Sequence, residues 1–386
     1  MDTIQSGPPL PICNGPNYGI SGKLVSCRSR SFGTHNSQKS GQSWTLYRFR
    51  DSRTDHPPRL QRSAPSGRRN RTNRSQILQS IPGVPADASI SRMQREIRPL
   101  TEIHTKTCRA NGIRQFYLEA GEGPPVVLLH GFPETSFAWR FQIPPLASRY
   151  RVIAPDLRGY GKTDKPASGY DKRTMANDIV ALLTELGIGR IALVGHDRGA
   201  RVATRLVKDH PDLVDRLVVM DNVPTRIVAR EMNARIAQQY WFFMFHQIPD
   251  LPEALISGRE DLWLRHFFSD WCHDPSTITG EAFETYVKAY KAPGAVRGAM
   301  ADYRASAEDV AQDLVDADKK IGCPVLSLWG EDFAAVGGLF DMKAIWSEMA
   351  DNLTTAPIER CGHLPQEEQP EVVNKLLFDF LDDWKG

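Results

Sequence analysis

The 386-residue sequence has no CxxC pair and no cysteine–histidine cluster at metal-ligand spacing. Its six cysteines, Cys13, Cys27, Cys108, Cys272, Cys323 and Cys361, are scattered. Free thiols in a reducing, cytoplasmic setting are therefore expected, rather than a disulfide framework. No stretch approaches the roughly 20 apolar residues that span a bilayer, so no membrane segment is expected. A charge excess is missing too, since 48 Lys and Arg stand against 46 Asp and Glu. That balance gives no reason to expect nucleic acid as a partner. Nothing in the pattern calls for a metal or an organic cofactor.

Acids and apolar periodicity are also scarce in one long stretch, residues 1–95, which is rich in Ser, Arg, Pro, Gly and Asn. Such a composition cannot bury enough apolar surface to offset the entropy lost on ordering, so a disordered basic extension is expected. It reads as a targeting presequence, as a basic arm for an acidic partner, or as a segment outside the enzyme proper with initiation at Met93. The last reading is favoured, because no amphipathic helical period supports a presequence and Met93 lies just before the first strand-like pattern.

What the rest of the chain has is a strong centre. Arg190-Ile-Ala-Leu-Val-Gly-His-Asp-Arg-Gly-Ala-Arg201 is an apolar run entering Gly195-His-Asp-Arg-Gly199, with a helix-compatible stretch behind it. This is the G-x-S-x-G strand-to-helix elbow with Asp197 in place of serine. An ionised carboxylate needs no base to become a nucleophile, and its useful targets are sp³ carbons bearing a leaving group, such as a C–halogen bond or an epoxide.

Around this centre the pattern alternates. Asn111-Gly112 joins two short strand-like runs as a hairpin. Pro125-Val-Val-Leu-Leu-His-Gly131 and Tyr150-Arg-Val-Ile-Ala-Pro-Asp156 read as buried strands. Phe132 lies in a turn whose backbone N–H groups can face a developing oxyanion. Thr174 to Leu186 has helical spacing and stops at Gly187. Strands at 213–220, 324–330 and 353–360 and a closing helix at 370–384 complete an α/β reading: a mostly parallel sheet flanked by helices, occupying 96–225 and 319–386. Between 226 and 318 the alternation gives way to aromatics and helix formers, including Tyr240-Trp-Phe-Phe-Met-Phe245, which predicts a helical cap over the site.

His363 follows the last strand, and elbow architectures place their histidine last, after nucleophile and acid. Two acids compete for the place beside it, because Asp221 ends the strand after the elbow and Asp332 ends the next. Arg198 and Arg201 sit one and four residues past Asp197, as an i,i+3 pair on the first helical turn. An anionic substrate would be repelled by Asp197 by about 4 kcal/mol at 4 Å and an effective dielectric near 20. Guanidinium groups offset that repulsion and grip carboxylates in bidentate fashion. The alternative role for the pair is a structural bridge to Asp209 or Asp212.

Gly131-Phe-Pro-Glu134, Asp156-Leu-Arg-Gly-Tyr-Gly161, Gly195-His-Asp-Arg-Gly-Ala-Arg201, Met220-Asp-Asn-Val-Pro-Thr225, Asp302-Tyr-Arg-Ala305 and Gly362-His363 together resemble one known family. It is the fluoroacetate (haloacetate) dehalogenase branch of the α/β-hydrolase fold, related to epoxide hydrolases. The resemblance runs from about Met93 to the C-terminus. It implies Asp221 as the acid and the two arginines as carboxylate ligands. It also implies Tyr303 as a donor to the leaving group, whether halide or epoxide oxygen. Where the family has His-Trp as further halide donors, this sequence has Phe242-Phe243, with His246 nearby as a candidate replacement.

The expected activity is a two-step hydrolysis through an Asp197 ester. His363 and Asp221 activate water, and the N–H groups of Phe132 and Arg198 form an oxyanion hole. A small haloacid is the leading substrate and an epoxide the alternative. A non-catalytic binding protein is the third reading. Oligomeric state stays open, with a homodimer compatible.

Overall fold

A computed structural model of the protein describes residues 102–386. The basic extension and a start at Met93 lie outside the described residues. Eight strands form one sheet in the order β1-β2-β4-β3-β5-β6-β7-β8. They are β1 (His104–Ala110), β2 (Ile113–Ala120), β3 (Pro125–Leu129), β4 (Arg151–Pro155), β5 (Ile191–His196), β6 (Val214–Met220), β7 (Val325–Gly330) and β8 (Leu353–Ile358). β1 and β2 pair antiparallel, as do β2 and β4, and the pairs from β4 through to β8 are parallel.

The hairpin lies where Asn111 and Gly112 place it, both at positive φ (50° and 75°). That geometry suits the twist of the flanking strands. Central strands β3 and β5 are covered on both faces, Val126 to Leu129 and Ile191 to Val194 being almost wholly buried, which is why they read as unbroken apolar runs.

Helices α1 (Ile143–Leu146), α2 (Lys172–Glu185) and α3 (Arg198–Asp209) belong to the first part of the sheet unit. α2 begins two residues before the expected Thr174 because Asp171 caps it, accepting from Thr174 N at 3.0 Å. Gly187 ends it at φ 67°. Between β6 and β7 the chain is helical throughout: α4 (Thr225–Glu231), α5 (Ala234–Gln239), α6 (Trp241–Phe245), α7 (Leu251–Ile256), α8 (Glu260–Trp271), α9 (Gly280–Tyr290), α10 (Ala295–Arg304) and α11 (Ser306–Val315). α12 (Met342–Met349), α13 (Pro365–Glu368) and α14 (Pro370–Leu381) follow the return to the sheet.

One apolar core joins the insertion to the sheet unit. Phe132 of the β3 loop packs edge-on against Phe267, Trp271, Tyr290 and Tyr303 of the insertion, with ring centroids 5.2–6.0 Å apart. Tyr240, Phe242, Phe243, Phe267, Phe268 and Trp271 therefore belong to a buried layer over the carboxyl ends of the strands, whereas Trp241 stays exposed. No helix among the described residues is long and apolar enough to cross a membrane.

Candidate active site

β5 delivers Asp197 at the tip of a tight turn before α3. Its backbone is forced to φ 44°, ψ −112°, a conformation costing about 1–3 kcal/mol for a residue with a side chain. The turn closes only because its neighbours are small. A Cβ on Gly195 would lie 2.6 Å from Ala200 Cα, and one on Gly199 would lie 2.3 Å from Leu129 O. Asn222 Nδ2 donates to Asp197 O at 3.0 Å, and Phe132 N donates to Asp197 Oδ2 at 3.0 Å. The Arg198 N–H, first in α3, is one of the orphan donors of a helix N-terminus.

The loop after β8 brings His363 to the same point. Its Nε2 lies 3.9 Å from Asp197 Oδ2, and its Nδ1 lies 2.5 Å from Asp221 Oδ2. Of the two candidate acids, Asp221 is the one beside this ring. Asp332 instead pairs with His273 at 2.6 Å and is half exposed. Asp221 also carries a positive φ of 43°, so both carboxylates flanking the histidine sit on strained turns.

Charge in this cluster is strongly coupled. Burial opposes ionisation of Asp197, but the adjacent His363, His196 and Arg201 outweigh it and hold the carboxyl well below its usual range. Burial likewise opposes the charge on His363, but the carboxylates of Asp197 and Asp221 raise its pKa to about 10.

The cavity above Asp197 is narrow. Its walls include Arg198, Arg201, Tyr240, Phe242, Phe243, Trp271, Tyr303 and Phe333, with Asp221 and His363 at the edge. Of the residues singled out in the sequence, Asp197, Arg198, Arg201, Asp221, Phe242, Phe243, Tyr303 and His363 line this cavity, and Phe132 reaches it through its backbone N–H. The two arginines, however, are engaged differently. Arg198 is bound by Asp302, with Nε–Oδ2 at 3.1 Å, Nη2–Oδ1 at 2.5 Å and Nη2–O at 2.8 Å. Asp209, the partner considered from spacing, binds Arg173 and Arg205 instead.

Arg201 has no carboxylate within 4 Å among the described residues. Its Nη1 donates to Thr225 Oγ1 at 2.7 Å, and its buried Nε has no partner. Burial and the neighbouring Arg198 lower its pKa.

His246 does not line the cavity. It packs behind Tyr303 with ring centroids 4.5 Å apart, and neither ring nitrogen has a hydrogen-bond partner. Burial and the nearby arginines push its pKa down to about 3, so the ring is neutral. Tyr240 and Trp271 are pocket residues that the sequence reading left within the aromatic core of the cap. Only Tyr240's place beside Phe242-Phe243 offered a signal for either. Among the described residues no group of three His, Cys, Asp or Glu is placed to hold a metal ion.

Comparison with known proteins agrees with this fold. A family model of the α/β hydrolase fold matches residues 124–274. A soluble epoxide hydrolase from Corynebacterium sp. (strain C12) is 38% identical over 285 residues, spanning 73% of this chain and 98% of that protein. A fluoroacetate dehalogenase from Burkholderia sp is 35% identical over 271 residues, spanning 68% of this chain and 88% of the relative. The solved structure of the epoxide hydrolase CorEH without ligand aligns with a TM-score of 0.69 at 36% identity, covering 73% of this chain and 99% of that one. An eight-stranded sheet in this order, an acid at its elbow and relatives of this closeness lead to one assignment: the chain belongs to the α/β-hydrolase fold family and is a hydrolase of the branch that holds epoxide hydrolases and a fluoroacetate dehalogenase.

Proposed function

We propose that this hydrolase displaces halide from a small 2-haloacid through an ester on Asp197. The observation that carries the reading is Arg201. A buried guanidinium beside the nucleophile, with no carboxylate within 4 Å among the described residues, is a costly arrangement. It becomes favourable when a substrate carboxylate supplies the missing charge.

The first step has Asp197 attack the sp³ carbon as halide departs with its bonding pair. Asp197 thereby loses its negative charge. One of the two carboxylates that raise the His363 pKa is then gone, so the imidazolium can release its proton to solvent and the ring becomes the neutral form that acts as a base when one is first required. His363 takes a proton from water, and the hydroxide attacks the ester carbonyl. The N–H groups of Phe132 and Arg198 receive the resulting oxyanion. Collapse releases a 2-hydroxy acid and restores the Asp197 carboxylate.

A second reading, epoxide hydrolysis, has its own support. Tyr240 and Tyr303 both line the cavity. Burial raises both pKa values, keeping each phenol a neutral donor, as an opening epoxide oxygen requires. Parallel assays with bromoacetate, chloroacetate and styrene oxide decide between the readings. Halide release without diol formation is expected, and diol formation without halide release would overturn the haloacid reading.

A further inference from the structure

His363 is held by more than Asp221. Its backbone N donates to Trp271 O at 2.7 Å, and its backbone O lies 2.7 Å from His196 Nε2. The residues on either side of it both point their N–H groups at one buried side chain, Glu368. Gly362 N lies 3.0 and 3.1 Å from the two carboxylate oxygens, and Leu364 N lies 3.0 Å from Oε1. A third N–H reaches Glu368 from the helical insertion, that of His273, 2.7 Å from Oε2. Glu368 is only 8% exposed, and no Lys or Arg lies within 4 Å of it among the described residues.

The residues it joins are those that matter for the base. His273 lies two residues after Trp271, whose ring walls the cavity and packs edge-on against His363 at 4.8 Å. Gly362 is pressed directly on this segment, since a Cβ there would meet Trp271 O at 2.0 Å. A carboxylate is the side chain suited to this place, because two oxygens without hydrogens can accept from three converging donors. A neutral amide has one acceptor atom and presents hydrogens where the second oxygen stood.

We propose that Glu368 is a positioning residue for His363. Through three backbone N–H groups it locks the histidine loop to the insertion wall and keeps the imidazole in line with the Asp197 ester. This rests on the reading of His363 as the base of the second step. That step needs the ring in one place, whereas Asp197 can attack without it. Misplacing a catalytic group by about 1 Å costs about a hundredfold.

The test uses the full chain with bromoacetate. In Glu368→Gln, ester formation followed by time-resolved intact mass should stay within about twofold of the unmodified protein. Ester hydrolysis should slow by about ten- to a hundredfold, so that the adduct accumulates. Glu368→Asp, which keeps the charge but is one methylene shorter, should restore part of the lost hydrolysis. The ring itself gives a second readout that needs no substrate. Release from its clamped place beside the two acids should lower the His363 titration midpoint, followed by imidazole NMR, from about 10 toward its ordinary 6.5.

Unchanged hydrolysis with an unchanged midpoint would overturn the proposal, as would equal slowing of both steps. If no ester forms in His363→Gln either, the hydrolytic reading has failed, and the midpoint alone decides: a fall supports the clamp and constancy refutes it. Should Glu368→Gln not fold, the same criteria apply to Glu368→Asp.

Discussion

Arg198 and Asp302 are joined across 104 residues of sequence as a fully buried ion pair, helix α3 behind Asp197 to helix α10 of the insertion. Asp302 also accepts from Lys172 Nζ at 2.5 Å and from Tyr160 Oη at 2.7 Å. Arg198 lies over the ring of Tyr303, its guanidinium carbon 4.4 Å from the centroid. The arginine next to Asp197 thus ties the insertion, and Tyr303 with it, to the start of α3.

Removing that carboxylate should be severe. Asp302→Asn leaves the buried Arg198 without a carboxylate and Lys172 with Asp309 alone, and is expected to cost about 3–5 kcal/mol, measured by denaturant unfolding. The pH dependence follows from the same group. Burial opposes the charge on Asp302, but Arg198 and Lys172 outweigh it and hold its pKa well below the ordinary 3.8. A depressed carboxylate contributes its full stability above its unfolded value and loses it as pH falls through the folded one. The unmodified protein should therefore lose stability progressively below about pH 4, and Asp302→Asn should show a shallower loss. Equal slopes would remove Asp302 from the account.

Arg201→Leu tests the charge of the substrate. Losing a charge-assisted contact costs about 1.5–3 kcal/mol, so the KM for a haloacid should rise by about ten- to a hundredfold. Turnover of a neutral epoxide should be spared. Comparable damage to both substrates would make Arg201 a packing residue, and the haloacid reading would lose its main support.

These two arginines also mark where sequence reasoning ends. The sheet, the elbow, the helical stretch between β6 and β7 and the place of His363 after the last strand were legible because each is written locally, whereas the residues left Asp221 and Asp332 competing and only the resemblance favoured Asp221. Apolar runs report strands buried on both faces, small residues report a close turn, and order along the chain reports which loop carries the histidine. The fate of Arg198 was not legible, since spacing on one helix cannot reveal a partner 104 residues away. The i,i+3 pattern made the arginines look equivalent, and tertiary packing made one a strut and left the other without a carboxylate partner among the described residues. Glu368 escaped notice for a similar reason. In Gln366-Glu-Glu-Gln369 it looks like a solvated helix end, and only the fold turns it toward three backbone donors.

His363→Gln separates the two chemical steps. The ester on Asp197 should still form, because attack by an ionised carboxylate needs no base, but it should not be hydrolysed. Intact mass after addition of a haloacid should show a stable adduct, absent from Asp197→Asn. The steps should also differ in pH dependence in the unmodified protein. Ester formation should stay flat as pH falls through the ordinary carboxylate value of 3.8, because Asp197 is held below it. Hydrolysis should rise with pH as His363 loses its proton, with a midpoint below the resting value of about 10, since esterification removes the Asp197 charge. Absence of any adduct with either substrate class would sink the covalent mechanism.

The leaving group meets a mostly apolar wall. Phe242 and Phe243 line the cavity, and Phe243 and Phe242 flank the Tyr303 ring at 5.5 and 6.2 Å. Fluoride departs only when hydrogen bonds to it develop in the transition state, and donors that act there raise the chemical step itself. Neither phenylalanine can donate, and His246, behind Tyr303, is outside the cavity lining. Bromide and chloride leave more readily and tolerate an apolar, polarisable surround. Activity on bromo- and chloroacids is therefore expected to exceed that on fluoroacetate by a wide margin. The double change Phe242→His, Phe243→Trp should raise defluorination selectively, while Tyr303→Phe should lower release of every halide. Halide-specific electrode measurements on the three substrates provide the check. Efficient fluoride release by the unmodified protein would show that Tyr303, with Tyr240 or Trp271 beside it, supplies donors enough.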